Sequence, residues 1–241
     1  MTPDTDARWY GRRTGRKLRP GRQALLDQRL PELRIADAGG TAPVDPLAAF
    51  GARPEKLWME IGFGTGEHLA EQARRHPDIG FIGCEPFVNG VAALVTRVAE
   101  LDLANVRIFD DDMRRLLPRL PDGCLERLYV LFADPWPKSR HHRRRITVDK
   151  NLAQFARLLG DDGRLIFASD QHDFAAWSLA NLLARPEFEW TARRAADWRR
   201  QPDGWVETRY QLKARAKGLE AVYLELRRRP RASVESLENT P

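Results

Sequence analysis

Cysteine is nearly absent. The chain has two, Cys84 and Cys124, in 241 residues, each inside an apolar-rich segment, which excludes a disulfide framework and points to two reduced core thiols. Long apolar runs are missing too, since none approaches the ~20 residues a membrane helix needs. The opening "MTPDTDARWYGRR" has no apolar segment behind its charges, so it does not read as a secretory signal. These absences together suggest a cytoplasmic chain with no membrane association. Histidine is scarce, at five residues; the adjacent His141 and His142 are surrounded by cations, with no other His or Cys at ligand spacing, so no metal is expected. No Ser/His/Asp or Cys/His set stands out, and there are no internal repeats or low-complexity tracts. The chain lacks the Gly-Lys-Ser/Thr of a P-loop. A dinucleotide turn, G-x-G-x-x-G, would require glycine at position 67, where Glu67 stands, so an NAD-dependent oxidoreductase is disfavoured.

Positive charge is plentiful. Forty Lys/Arg against 34 Asp/Glu give a net charge of +6, and distribution says more than the sum. Cations bunch at Arg8 to Arg22, Lys138 to Arg145, Arg193 to Lys217 and Arg227 to Arg231. The last run reads as a solvated face. The first reads equally well as solvated or as anion-binding.

Residues 1–50 carry many breakers, "RPG", "LPEL" and "AGGTAPVDP", and little periodicity. They read as a basic, partly disordered extension with a short helix at Gln23 to Leu30. From Lys56 onward, short apolar runs alternate with helix-period segments. Strands are expected at Leu57–Ile61, Gly80–Cys84, Val106–Phe109, Leu128–Phe132 and Leu165–Ala168, then at Phe188–Arg194 and Glu220–Arg227. Helices are expected at Glu67–Arg75, Val88–Leu101, Arg114–Leu117, Val148–Leu159 and Phe174–Ala184. Continuous apolar strands between amphipathic helices indicate one α/β domain, here residues 51–229, whose parallel sheet is covered on both faces. Residues 230–241 read as a flexible tail.

The segment "LWMEIGFGTGEHL" places Gly62, Gly64 and Gly66 between the first strand and the next helix, where the backbone must turn tightly and a ligand can approach. Acids close the first three strands: Glu60, Glu85 in "FIGCEP" and Asp112 in "FDDDM". The two oxygens of Glu85 suit the hydroxyls of a ribose, and Asp112 stands where an adenine would be flanked. Glu60 supplies a charge opposite to an ammonium or sulfonium. Three acids fit the cationic donor S-adenosylmethionine better than an anionic pyrophosphate. Asp110 and Asp111 read as loop and capping residues.

The stretch "FADPWPKSRHHRRR" then puts Asp134 on the same rim, at the end of the fourth strand. Pro135 and Pro137 restrict the loop, and Trp136 offers a face for an unpaired base, worth ~1–3 kcal/mol, or packs on the sheet. Lys138, Arg140, Arg143, Arg144 and Arg145 can neutralise phosphates. If the last strand runs antiparallel, "DGWVETRYQLKARAKG" faces the same crevice, and Arg209, Tyr210, Lys213, Arg215 and Lys217 join that surface. Asp170, after the fifth strand, completes the rim.

These motifs resemble the bacterial tRNA (guanine-N7)-methyltransferases: "EIGFGTGEHL", "GCEP", "DDDM", "LFADPWPKSRHHRRR", "ASD" and "ETRYQLKARAKG" occur in family order across residues 57–226. The resemblance implies a Rossmann-like class I methyltransferase domain, with a mostly parallel seven-stranded sheet and an antiparallel last strand. It implies S-adenosylmethionine as donor and a guanine in the tRNA variable loop as acceptor, and no obligatory protein partner is expected of such a chain, read here as a monomer. Carried over by position, Glu60, Glu85, Asp112 and Asp134 match the donor-site acids, with Asp134 catalytic. Lys138, Asp170, Thr208, Arg209, Tyr210 and Gln211 match the substrate side. Ala133 replaces the family's usual proline, and Gln211 replaces a common acid. The competing readings are an amino-group nucleic-acid methyltransferase using the Asp-Pro-Trp loop, and a non-catalytic RNA-binding protein.

Overall fold

A computed structural model describes residues 10–35 and 41–238 of the chain. Its seven strands are β1 (Lys56–Ile61), β2 (Ile79–Cys84), β3 (Val106–Phe109), β4 (Leu125–Leu131), β5 (Leu159–Ser169), β6 (Phe188–Trp190) and β7 (Val222–Arg228). They form one sheet in the order β3-β2-β1-β4-β5-β7-β6. Strands β1 to β5 pair in parallel, and β7 is antiparallel to both β5 and β6. The strand order reverses between β1 and β4, the place where open α/β sheets leave a crevice at the carboxyl ends of their strands.

Side chains alternate across the sheet as strand geometry requires. Trp58, Phe81, Tyr129 and Ile166 face one layer with α2 (Glu67–Arg75) and α3 (Val88–Glu100). Met59, Ile82, Val130 and Phe167 face the other, with α4 (Met113–Leu116), α5 (Asp149–Leu158) and α6 (His172–Leu183). Near-continuous apolar runs were needed because both faces are covered.

The two ends of the chain differ from expectation. The first helix, α1, runs Pro20–Leu33 and buries Leu26, Leu30 and Leu33 against the α3 side of the sheet. Ile35 is 1% exposed and its N–H donates to the Ile108 carbonyl at 2.9 Å. Residues 20–35, expected within a partly disordered extension, thus pack on the sheet as an ordered helix and bridge. The expected tail is helical as well. Helix α9, Arg231–Glu238, has Val234 buried and is tied by Arg231 to Asp161 at 2.6 Å. Residues 1–9, 36–40 and 239–241, also included in the expected extension and tail, lie outside the described residues.

Among the strands, β5 begins at Leu159, earlier than its apolar run suggests, because "GDDG" is absorbed as a register shift against β4 with Asp162 left-handed at φ +63°. Asp tolerates that region better than bulkier residues. The sixth strand is only Phe188–Trp190. Among the described residues, no helix is long and apolar enough to cross a membrane.

Candidate active site

The turn between β1 and α2 has Gly62, Gly64 and Gly66 at φ +71°, +58° and +73°, a region that costs most side chains 1–2 kcal/mol per residue. Its neighbours press on it. A Cβ on Gly90 of α3 would stand 2.2 Å from the Gly64 carbonyl oxygen, so helix and turn touch backbone to backbone. Nothing in the local sequence singles out Gly90; only the crossing of α3 over the turn does. Thr65 donates to Glu67 at 2.6 Å, and Arg97 bonds both the Thr65 carbonyl and Glu67. These contacts brace the turn from both sides.

Three of the four expected acids converge on it. Glu85 accepts from the N–H of Gly64 and of Phe87, both at 3.0 Å. Burial pushes its carboxyl up to about 7 despite those two bonds, and Asp134 and Glu60 add to the rise. Asp134 is reached by solvent, yet surrounding protein also holds its carboxyl above the usual range. Glu60 is 4% exposed and bonds His68 Nδ1 at 2.8 Å. Among the described residues no lysine or arginine pairs with any of the three. The fourth, Asp112, is 3% exposed and has local partners of its own. Its carboxylate caps α4 through Arg114 N–H at 3.0 Å and is forked by the Arg114 guanidinium, so it is turned toward its own helix. Asp110 and Asp111 hold the N-terminal segment through Arg34 and Arg13, each at 2.7 Å.

Glu85 makes a testable demand on stability. A carboxyl raised from 4.5 to about 7 on folding favours the folded state most below pH 4.5, and that benefit is lost as pH rises through 7. Relative to Glu85→Gln, the wild-type chain without ligand should lose about 2–3 kcal/mol of unfolding free energy between pH 5 and pH 8. Denaturant titrations at the two pH values check it. A constant difference would mean that the buried carboxyl does not titrate there.

The loop after β4 is strained. Phe132 and Trp136, on either side of Asp134, lie at φ +53° and +42°, unusual for bulky residues and costing on the order of 1–3 kcal/mol each. Phe132 keeps one ladder bond, to the Ala168 carbonyl at 2.8 Å, but leaves the strand, which is why β4 stops at Leu131. Arg145 holds the loop from behind. It is 5% exposed, donates to the Pro135 carbonyl at 2.8 Å, and lies 4.7 Å above the Trp177 ring and 5.3 Å above Phe174. The sequence placed it with the phosphate-binding cations, whereas its side chain is buried behind the loop. The six residues Ser139–Arg144 form a 3-10 turn, which points the last arginine of the run inward. Trp136 is enclosed too, with Arg144 at 5.0 Å and Tyr10 and His141 edge-on at 6.4 and 5.9 Å.

The segment expected on the substrate side reaches the same crevice. Helix α8, Arg209–Arg215, is capped by Thr208, whose hydroxyl accepts from Gln211 N–H at 3.2 Å. A Cβ on Gly64 would stand 3.1 Å from Tyr210, so that ring lies over the glycine turn. Burial, and then Glu85 and Asp134, raise the Tyr210 hydroxyl. Gln211 is buried, accepting from Trp205 Nε1 and donating to the Tyr223 hydroxyl, both at 2.7 Å. Of the four residues 208–211, Arg209 and Tyr210 are exposed, while Thr208 and Gln211 hold the segment in place. Asp170 is half-buried just past β5.

Cations surround the mouth. Lys138, Arg140, Arg143, Arg209, Lys213 and Lys217 are exposed with no carboxylate partner among the described residues, whereas Arg215 pairs with Glu207 at 2.5 Å. The chain from Tyr10 to Arg22 crosses the same rim, from Trp136 to Asn89, where Asn89 bonds Gly15 N–H and the Arg16 carbonyl at 2.8 and 2.7 Å.

Comparison with known proteins identifies the family. Residues 54–224 match a family model described as "Putative methyltransferase". The chain is 49% identical over 233 residues to the tRNA (guanine-N(7)-)-methyltransferase of Rhodospirillum rubrum, covering 96% of this chain and 91% of that one. The chain belongs to the tRNA (guanine-N7)-methyltransferases. The enzyme of the same name from Chelativorans sp. is 44% identical, covering 90% and 93%. Among solved structures, the 16S rRNA methyltransferase KamB superposes with a TM-score of 0.52 at 15% identity, over 73% of this chain and 89% of that one; this likeness shows the class I methyltransferase fold. Within the family, the differences noted in the sequence now have a structural context. Gln211 is a buried link in this member of the tRNA (guanine-N7)-methyltransferases, and the loop that contains Ala133 is held by Arg145.

Proposed function

We propose that this chain transfers a methyl group from S-adenosylmethionine to N7 of a guanine in the tRNA variable loop, acting in the cytoplasm where tRNA is found. The observation that carries the reading is the convergence of Glu60, Glu85 and Asp134 on a glycine turn without a paired lysine or arginine. Such a pocket repels a pyrophosphate and suits a cation with a polar sugar. Glu85 would accept from the ribose hydroxyls, Glu60 would face the ammonium, Gly62, Gly64 and Gly66 would let the donor approach, and Asp112 would border the adenine.

When bound, S-adenosylmethionine supplies an electrophilic methyl on a sulfonium, which the in-plane lone pair of N7 can accept without releasing a proton. The protein therefore needs no obligatory general base. It must align the base, and alignment of this kind can supply ~7–11 kcal/mol of barrier reduction. Asp134, on a loop strained on both sides and tied by Arg145, would lie beside the purine as it gains positive charge, and its carboxylate would stabilise that charge. Asp170 and Tyr210 would border the guanine, and Lys138 with Arg140 and Arg143 would meet its phosphates.

Two arginines of one run should therefore behave differently. Arg143→Ala should lower tRNA affinity and reduce the salt slope by about one counterion, with turnover at saturation unchanged. Arg145→Gln should leave the slope alone and reduce turnover about 10-fold or more, because the Asp134 loop loses its anchor. Filter binding across salt concentrations, alongside single-turnover kinetics, separates them. Equal effects on slope would return Arg145 to the surface.

Incubating the pure chain with labelled donor and bulk tRNA, then digesting to nucleosides, tests the reaction. The label is expected in 7-methylguanosine. Label in N6-methyladenosine would favour the amino-group reading, and no transfer would favour a binding protein.

A further inference from the structure

The buried contacts behind the crevice join its two halves through one side chain. His68, on the first turn of α2, is 2% exposed. Its Nδ1 bonds Glu60 Oε2 at 2.8 Å, and its ring lies 5.4 Å from Trp205 and 4.8 Å from Tyr129. On its other edge Nε2 stands 3.4 Å from the Gln72 amide, which donates to the Gly204 carbonyl at 3.2 Å. Trp205 in turn donates to Gln211 and packs 4.9 Å from Tyr223, and Gln211 is the residue that Thr208 caps. The Nδ1 edge of the imidazole thus fixes Glu60, while the ring packs on the segment that puts Tyr210 over the glycine turn.

We propose that His68 is a positioning residue that couples the donor site to the tRNA site. This rests on the assignment of Glu60 to the donor and of residues 204–211 to the substrate side. With its proton on Nδ1, His68 leaves Glu60 one oxygen for the donor and orients it. With its ring against Trp205, it sets the height of α8 over the donor. A shift of Glu60 on donor binding therefore reaches Tyr210 through two packed rings and one amide, and tRNA binding reaches Glu60 by the same route.

The two contacts can be removed separately, because asparagine places an amide near Nδ1 while phenylalanine keeps a ring. His68→Phe should weaken donor binding about 10-fold, through loss of a hydrogen bond to a buried carboxylate, and leave the KM for tRNA within about 2-fold. His68→Asn should keep donor binding within about 2- to 3-fold and raise the KM for tRNA about 10-fold, through lost ring packing. In the wild type, tRNA should tighten donor binding, and in both variants that enhancement should vanish. Donor titration with and without unmodified tRNA reads the first and third, and initial rates against tRNA concentration read the second, on full-length chains whose thermal midpoints are recorded. Should the asparagine variant not fold, Trp205→Leu carries the same arm from the opposite side of the contact, with the same expected outcome. Variants that bind both ligands like the wild type, or that lose both equally, overturn the proposal and leave His68 a packing residue. A wild-type chain that forms no 7-methylguanosine would instead sink the functional reading, so the two failures are distinguishable.

Discussion

Asp134→Ala should lower turnover by about 10²–10³-fold or more, the range seen when one preorganised electrostatic group is removed, with the thermal midpoint essentially unchanged. The size follows from where the charge goes. The reacting purine becomes cationic within a crevice that already holds Glu85 and Glu60, and Asp134 is the acid on the strained loop at its mouth. The fold should tolerate the change because Asp134 is solvent-reached and makes no ion pair among the described residues. Asp134→Asn should fall between the two, since the amide keeps the shape and loses the charge. Donor affinity separates binding from chemistry: if Asp134 acts on the transition state, single-turnover rates fall more than donor binding does. Near-normal turnover in the alanine variant would remove Asp134 from the mechanism.

Salt should have a comparable effect on the other substrate. With ~6–10 phosphates engaged, tRNA affinity should fall ~10³–10⁵-fold between 50 and 200 mM salt. Six exposed cations assigned to this surface have no carboxylate partner among the described residues: Lys138, Arg140 and Arg143 after β4, and Arg209, Lys213 and Lys217 in and after α8. Fluorescence anisotropy of labelled tRNA across that range gives the slope. Donor binding, measured in parallel, should change little, because its acids lie in a crevice screened less by ions than the surface is. A flat tRNA response would make the basic runs ordinary solvated faces.

The elements that position the site were legible because each is punctuated locally. Helix Glu67–Arg75 and strand Val106–Phe109 fall where glycines, aspartates and apolar runs put them. The acids Glu60, Glu85 and Asp134 could be singled out for the same reason: each stands within three residues of the carboxyl end of a parallel strand, which is on the rim. What the letters hide is direction. Arg145 looks like the fifth cation of a surface run, and only the 3-10 turn before it sends it under the loop. Asp112 follows β3 as its position in the chain suggests, but no local pattern announces that Arg114 forks its carboxylate. His68 reads as one more residue of an amphipathic helix, since its partners Glu60 and Trp205 lie 8 and 137 positions away in the chain. Helix α1 contains breakers, including Pro31, and is held by contacts with α3 that no local pattern announces.

The account depends most on the glycine turn with its converging carboxylates binding a cationic methyl donor. Isothermal titration of the pure chain with S-adenosylmethionine, without tRNA, measures this directly. One donor per chain should bind, Glu85→Gln should weaken that binding by about 10- to 100-fold through lost charge-assisted bonds, and NAD should give no heat. Absence of donor binding, or a Glu85→Gln chain that binds it as tightly as the wild type, would contradict the account.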